Sequence, residues 1–321
     1  MGPFFAPETA GSKIEDLLML MKPLPLIRIL PLFLASLIAV APAAGDIAAK
    51  PGFSKQRAPC EKKYQFETDY IAYASDGSRT AAEKVIMKCA VSIDGSGQQT
   101  LKCLEFALVD NDGRTRRIPS LAGWKNSMDL AAAEVLGVPH ADFQNLTTED
   151  GTALRPDLNH RVYNTFIDFY TFNNVFGRPA PDGAGRDIAD LQKMGQPIEH
   201  YTACSKPPAN LGNAVKEGSY FKNGRVTLQW LGCGEVARQS CAIVRFDSGE
   251  SSFQMLMEPV PNTPMQVKGG SHYWGDLFIN LDDYWVERAT FKEIAMTEIV
   301  FGEDPPAAAV VKRLGTISLL P

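Results

Sequence analysis

Residues 22–44 set the start of this chain apart from any domain that folds after it. Lys22 and Arg28 precede an apolar run at residues 29–40, and the small residues Ala41, Pro42 and Ala43 follow it. This order is typical of a secretory signal peptide. The apolar run is too short to cross a bilayer, which takes about 20 such residues. We therefore expect cleavage near Ala44, so that residues 1–43 take no part in the fold.

Export fixes the environment of the remaining chain. Glu8, Glu15 and Asp16 are the wrong charge for the front of a leader, so the true start is expected at Met19 or Met21. After cleavage we expect a soluble periplasmic or secreted protein with no later membrane span. The first 43 residues hold three basic and three acidic residues, so the net charge stays at −5. That balance argues against a nucleic-acid partner or a basic face for anionic lipid.

Six cysteines follow the leader, and an oxidising compartment favours their pairing. A hairpin around residues 94–97 that pairs residue 91 with residue 101 sets Cys89 opposite Cys103, which predicts a disulfide between them. Cys233 and Cys241 flank a second turn, and Cys60 with Cys204 are left as a third pair. The alternatives, a zinc site or a catalytic thiol, lack support because no C-x-x-C spacing is present.

The first half of the chain predicts an α+β unit at residues 44–175. Apolar alternation indicates strands at residues 85–93 and 101–109, and a helix at residues 120–136 follows them, capped by Ser120 and ended by Gly137. Aromatic residues crowd residues 162–172, which predicts a third, central strand. The expected architecture is a small antiparallel sheet with one main helix.

This predicted unit resembles a known family. The run at residues 83–95, which ends in Asp94 and Gly95, followed by a second strand, an alanine-rich helix and the strand at residues 161–172, is similar to the C-terminal domain of TonB-like energy-transducing proteins. The resemblance covers residues 80–173. It implies a periplasmic protein-binding module, and the missing membrane helix and Pro-rich spacer argue against an energy transducer.

Residues 176–215 break the periodicity with prolines and glycines, which predicts a linker or surface loop. Residues 216–321 predict a second, mostly antiparallel β domain: a sandwich, an open barrel or a curved sheet. Three hairpins are expected in it, with turns at residues 223–224, 247–250 and 282–285, and a strand from residue 310 closes the sheet.

The residues that carry chemistry are few. Ser271 and His272 lie in a Gly-rich, aromatic stretch and are the candidates for a nucleophile and a general base, although a glycine turn explains the same residues. The four histidines show no metal-binding spacing, and neither a metal nor a cofactor is expected.

Three functions remain open at this point. The first is an exported, non-catalytic binding or interaction protein of the cell envelope, with an unknown envelope protein as its partner. The second is a carrier that encloses a small apolar molecule or lipid in the C-terminal β domain. The third is an exported hydrolase that uses Ser271 and His272. The absence of a catalytic constellation favours the first.

Overall fold

The computed structural model describes residues 51–95, 97–128, 138–180, 185–206, 215–260 and 262–321. All of them belong to one compact unit. The predicted leader and residues 129–136 of the predicted helix lie outside the described residues.

Strands dominate the described chain. In chain order they are β1 Glu61–Ala74, β2 Arg79–Ile93, β3 Gln99–Val109, β4 Thr115–Arg117, β5 Lys125–Met128, β6 Pro197–Glu199, β7 Tyr220–Lys222, β8 Thr227–Val236, β9 Gln239–Asp247, β10 Ser251–Val260, β11 Thr263–Asn280, β12 Val286–Phe301 and β13 Ala307–Leu319. One α-helix, α1 Pro156–Tyr170, continues into a π-helical turn at Thr171–Val175. Short 3₁₀ turns occupy Pro119–Leu121, His140–Phe143 and Ile188–Asp190.

All of these strands belong to one sheet, and every strand pair in it is antiparallel. The order across it is β4, β3, β2, β1, β13, β12, β11, β9, β8 and β6. β5 pairs with β3, β10 pairs with β11, and β7 pairs with β10. The last strand, β13, lies between β1 and β12 and so joins the N-terminal strands to the C-terminal ones. The prediction of a small sheet followed by a separate β domain is therefore wrong.

Helix α1 lies on one face of this sheet, called here the inner face. Its buried positions recur at helical spacing: Leu158, Val162, Phe166 and Phe169. Phe169 contacts the ring of Tyr64 on β1, and their ring centroids are 5.5 Å apart. Beyond the helix, Phe172 of the π-helical turn packs on Phe246 and Phe291, each with ring centroids 4.8 Å away. The core therefore lies between the helix and the inner face.

The strand predicted at residues 162–172 is wrong, because these residues form the helix. Pro156 occupies the first turn of α1, where its missing N–H costs nothing, and the aromatic residues pack against the sheet at helical rather than alternating spacing. The predicted helix at residues 120–136 is wrong at its start, where the chain forms the 3₁₀ turn and strand β5.

Two of the predicted hairpins are also wrong, and the third is confirmed. Asn223 and Gly224 lack the positive φ that a tight two-residue turn requires, and β7 pairs with β10 instead of β8. β9 and β10 do not pair with each other, because β11 is long enough to pair with both of them end to end along one edge. β11 and β12 form the third hairpin as predicted.

Candidate functional site

A row of five polar side chains crosses the inner face of the sheet. They lie directly opposite one another on neighbouring strands, in the order Tyr273, Glu293, Arg313, Tyr70 and Glu83. We call this set the polar row. It divides the inner face into a half that α1 and the π-helical turn cover and a half that extends beyond them, towards the hairpin turns after β1, β10 and β12.

The helix completes the ionic contacts of the polar row. Arg313 donates to Asp168 of α1, with Nη1 2.5 Å from Oδ2, and its Nε donates to Glu293. Arg161, two turns earlier on the side of α1 that faces β2, forms an ion pair with Glu83. Each carboxylate on the row thus meets a guanidinium, and the row ties the helix to the sheet at two points.

Burial perturbs the titration of this cluster. Loss of solvent raises the pKa of Asp168 to about 6; Arg313 opposes the rise and the nearby Glu293 adds to it. Burial alone would lower the pKa of Arg313, but the two carboxylates raise it well above its ordinary value. The physical cause is shared: two carboxylates compete for one guanidinium in a space that water barely reaches.

Beyond the polar row, the inner face carries no charge at all over five adjacent strands. By the alternation of the strands, its residues are Ala72 and Ala74 of β1, Phe253, Met255 and Met257 of β10, Met265, Val267 and Gly269 of β11, Ala295, Thr297 and Ile299 of β12, and Ala309 and Val311 of β13. Between them and the polar row lie the buried Ser251 and Ser271. We call this surface the distal face. Each of its residues is partly exposed, whereas apolar residues on the helix-covered half of the inner face are buried.

The distal face has an uneven relief. On β1, β12 and β13 most of its side chains are small, such as Ala72, Ala295 and Ala309, while β10 and β11 contribute larger ones such as Met255 and Met265. Small side chains leave the backbone accessible, and methionine adapts to irregular shapes because it is flexible and polarizable. The surface therefore forms a shallow apolar floor with a deformable wall.

On β10, β11 and the end of β12, the opposite, outer face carries polar pairs. Lys268 forms an ion pair with Glu298 across β11 and β12, with Nζ 2.6 Å from Oε1. Gln266 and Gln254 are hydrogen-bonded across β10 and β11. An exposed sheet face is normally polar in this way, so an uncharged distal face on the other side of these strands is unusual.

The structure separates the two residues predicted for hydrolysis. Ser271 and His272 are consecutive in β11, so their side chains point to opposite faces of the sheet. Ser271 is 6% exposed on the inner face, opposite Ser251 and Ala295. His272 lies on the outer face, where its Nε2 is 2.8 Å from Oδ1 of Asp247. These two residues cannot act together as nucleophile and base.

The six cysteines are free thiols in the structure. Cys89 and Cys103 lie directly opposite each other on β2 and β3, which confirms the predicted strand register. Cys233 and Cys241 do not face each other: their register is offset by one residue, which places the two side chains on opposite faces. For the third predicted pair, the backbone carbonyl of Cys60 accepts a hydrogen bond from the N–H of Ile93, and the N–H of Cys204 donates one to the carbonyl of Gly224.

Sequence reasoning missed the polar row. Its members come from five strands between residues 70 and 313, and Asp168 belongs to a segment that was predicted to be a strand. One signal was available: Glu293 and Arg313 are isolated charges at positions where the alternation of their strands calls for apolar residues.

The described part of the chain lacks two other kinds of site. It contains no group of three or more His, Cys, Asp and Glu side chains placed to hold a metal ion. None of the helices among the described residues has the length and apolar character needed to cross a membrane.

No family model matches the sequence, and no curated protein matches it. A solved structure described as "lipid-protein interactions in lipovitellin" is similar over 83% of this chain, at 13% identity and a TM-score of 0.38, and this chain spans 26% of that one. A loop-deletion mutant of OmpT, an outer membrane protein of Vibrio cholerae, is similar over 82% of this chain and all of its own, at 7% identity and a TM-score of 0.24.

Proposed function

We propose that this chain is an exported, non-catalytic binding protein of the cell envelope that holds an apolar small molecule or lipid against the distal face. The observation that carries the proposal is the uncharged, partly exposed inner surface beyond the polar row. A contiguous apolar surface of this kind marks a binding site in a soluble protein.

Burial of the ligand supplies the binding energy. Each methylene that leaves water contributes about 0.8 kcal/mol, so a chain of about ten methylenes gains about 8 kcal/mol before the cost of immobilising it. The alanines at the centre of the distal face allow such a chain to approach the backbone of β12 and β13 closely. The methionines of β10 and β11 adapt to its shape.

The polar row limits what can lie at the inner end of the site. Arg313 is held between Asp168 and Glu293, and Arg161 pairs with Glu83. An anionic head group at the row would have to displace one of these carboxylates. We therefore expect the uncharged end of the ligand to point towards the row and any polar head to lie at the open end of the distal face.

The non-catalytic part of the proposal is supported by the positions of Ser271 and His272 on opposite faces. Its cellular part is supported by the leader pattern at residues 22–44.

The test compares two neighbouring residues of β12 that face opposite ways. Ile299→Glu places a charge on the distal face, and Val300→Glu places the same charge on the outer face one residue later. A fluorescent long-chain alcohol is titrated into each protein and its dissociation constant measured. We expect Ile299→Glu to weaken binding at least tenfold, because the charge would be buried against the ligand.

Val300→Glu is the matched control and should change the dissociation constant less than threefold. The proposal is wrong if the unmodified protein does not bind the alcohol, or if both variants weaken binding equally.

A further inference from the structure

The outer face carries an apolar patch on the same strands that form the distal face. Its residues lie opposite one another in three adjacent rows: Tyr73, Val310 and Met296; Ile71, Lys312 and Ile294; and Leu314, Lys292 and Trp274. The patch is bordered by His272, opposite Ile294, and by Asp69, opposite Leu314. We call this set the outer patch. Seven of its nine side chains are apolar or aromatic, which is unusual for the solvent side of a sheet.

Large side chains of the outer patch are well exposed. Met296 is 63% exposed and Ile294 is 42% exposed. Single exposed apolar residues are common on proteins, but here they adjoin one another across three strands. Such a surface gains free energy when another surface covers it.

Two lysines are the charged side chains of the outer patch. Lys292 and Lys312 form no ion pair with any described residue. By contrast, Lys84 pairs with Glu67, and Lys268 pairs with Glu298. The patch therefore offers two free positive charges among apolar side chains, although the whole chain has a net charge of −5.

The sequence of these strands also indicates that both of their faces become covered. Residues 307–311 are continuously apolar, and residues 294–301 are apolar except for Thr297 and Glu298, a pattern that approaches that of strands buried on both sides. The ligand proposed above would cover the inner side only. The outer side needs a partner of its own.

From these observations we infer that the outer patch binds the surface of a bilayer that contains anionic phospholipids. Aliphatic side chains would enter the boundary between head groups and acyl chains, Tyr73 and Trp274 would lie at the level of the head groups, and Lys292 and Lys312 would contact their phosphates. The inference stands apart from the proposed ligand site, which is on the other face of the sheet.

The test measures flotation of the purified chain with vesicles of phosphatidylcholine alone and of phosphatidylcholine with 30% phosphatidylglycerol. We expect binding to the second vesicles, and we expect it to weaken with added salt. Lys292→Glu/Lys312→Glu should reduce the partition coefficient by at least about thirtyfold, the scale expected for two lysines at an anionic surface. Ile294→Ser/Met296→Ser should also reduce it, without any change in charge.

The matched control is Lys102→Glu/Lys125→Glu, which changes the charge equally at two exposed lysines on β3 and β5. It should bind as the unmodified chain does. All proteins share one N-terminus, so any contribution of residues 29–40 is common to every arm. Circular dichroism confirms that each variant is folded. The inference is wrong if the unmodified chain ignores anionic vesicles, or if the patch and control variants bind alike; self-association without vesicle binding would make the patch a protein interface.

Discussion

Asp168 is the helix residue that pairs with Arg313 in the polar row of the sheet. It faces Arg313 from α1 and is enclosed by the polar row. Because its pKa is raised to about 6 in the folded protein, the native state binds a proton here that the unfolded chain, with an ordinary aspartate pKa, has already released at pH 5. The contribution of Asp168 to stability is therefore complete at low pH and is lost as the pH rises through 6.

The direction of this pH dependence can be measured with the variant Asp168→Asn. The free energy of unfolding of the unmodified protein, relative to that of the variant, should fall by about 1 kcal/mol between pH 5 and pH 8. Urea unfolding at the two pH values provides the measurement. Asp112→Asn, at an exposed position, controls for the charge removed. A relative stability that grows with pH would mean that the ion pair with Arg313 outweighs burial.

At the scale of elements, the β2–β3 hairpin makes the clearest prediction. The N–H and C=O of Cys103 bond to Trp124 and Gly123, so both point away from β2. Cys89 and Cys103 therefore form a non-hydrogen-bonded pair, in which Cα atoms lie about 4.5 Å apart. That spacing lies within the range of natural disulfides.

We expect these two cysteines to be joined when the protein folds in an oxidising compartment. Peptide mass analysis after alkylation in denaturant without reductant should find Cys89 linked to Cys103. Cys233 and Cys241, which point to opposite faces, should be alkylated under the same conditions. Alkylation of Cys89 and Cys103 as well would contradict this account.

The same hairpin shows which part of the fold could be predicted from the sequence. Its register followed from a turn and two alternating strands, which are local signals. Helix α1 could not be recognised so easily, because a run of Tyr and Phe has the composition of a strand, and only its packing against β1 and β3 favours the helix. The signal that could have identified the helix was the recurrence of apolar residues every three to four positions after Pro156.

The whole molecule could be predicted least. β13 is the last strand in sequence, yet it pairs with β1, more than 230 residues earlier, and so places all strands in one sheet. No local pattern encodes that pairing. The polar row and the distal face both depend on it, because Arg313 and Val311 belong to β13 and Tyr70 and Ala72 to β1. For this reason, the sequence could predict a carrier of an apolar molecule as one possible function, but it could not locate the surface that would bind the molecule.

The most direct test of the account is a map of where an apolar ligand lies on the folded protein. A long-chain alcohol with a photoreactive diazirine on its chain is bound and cross-linked, and the labelled residues are identified by mass spectrometry. We predict labels at Val267, Ile299 and Val311 of the distal face, removed by competing unlabelled alcohol. Equal labelling of the outward-facing neighbours Lys268 and Val300, or labels that resist competition, would contradict the central claim that the distal face is a ligand site.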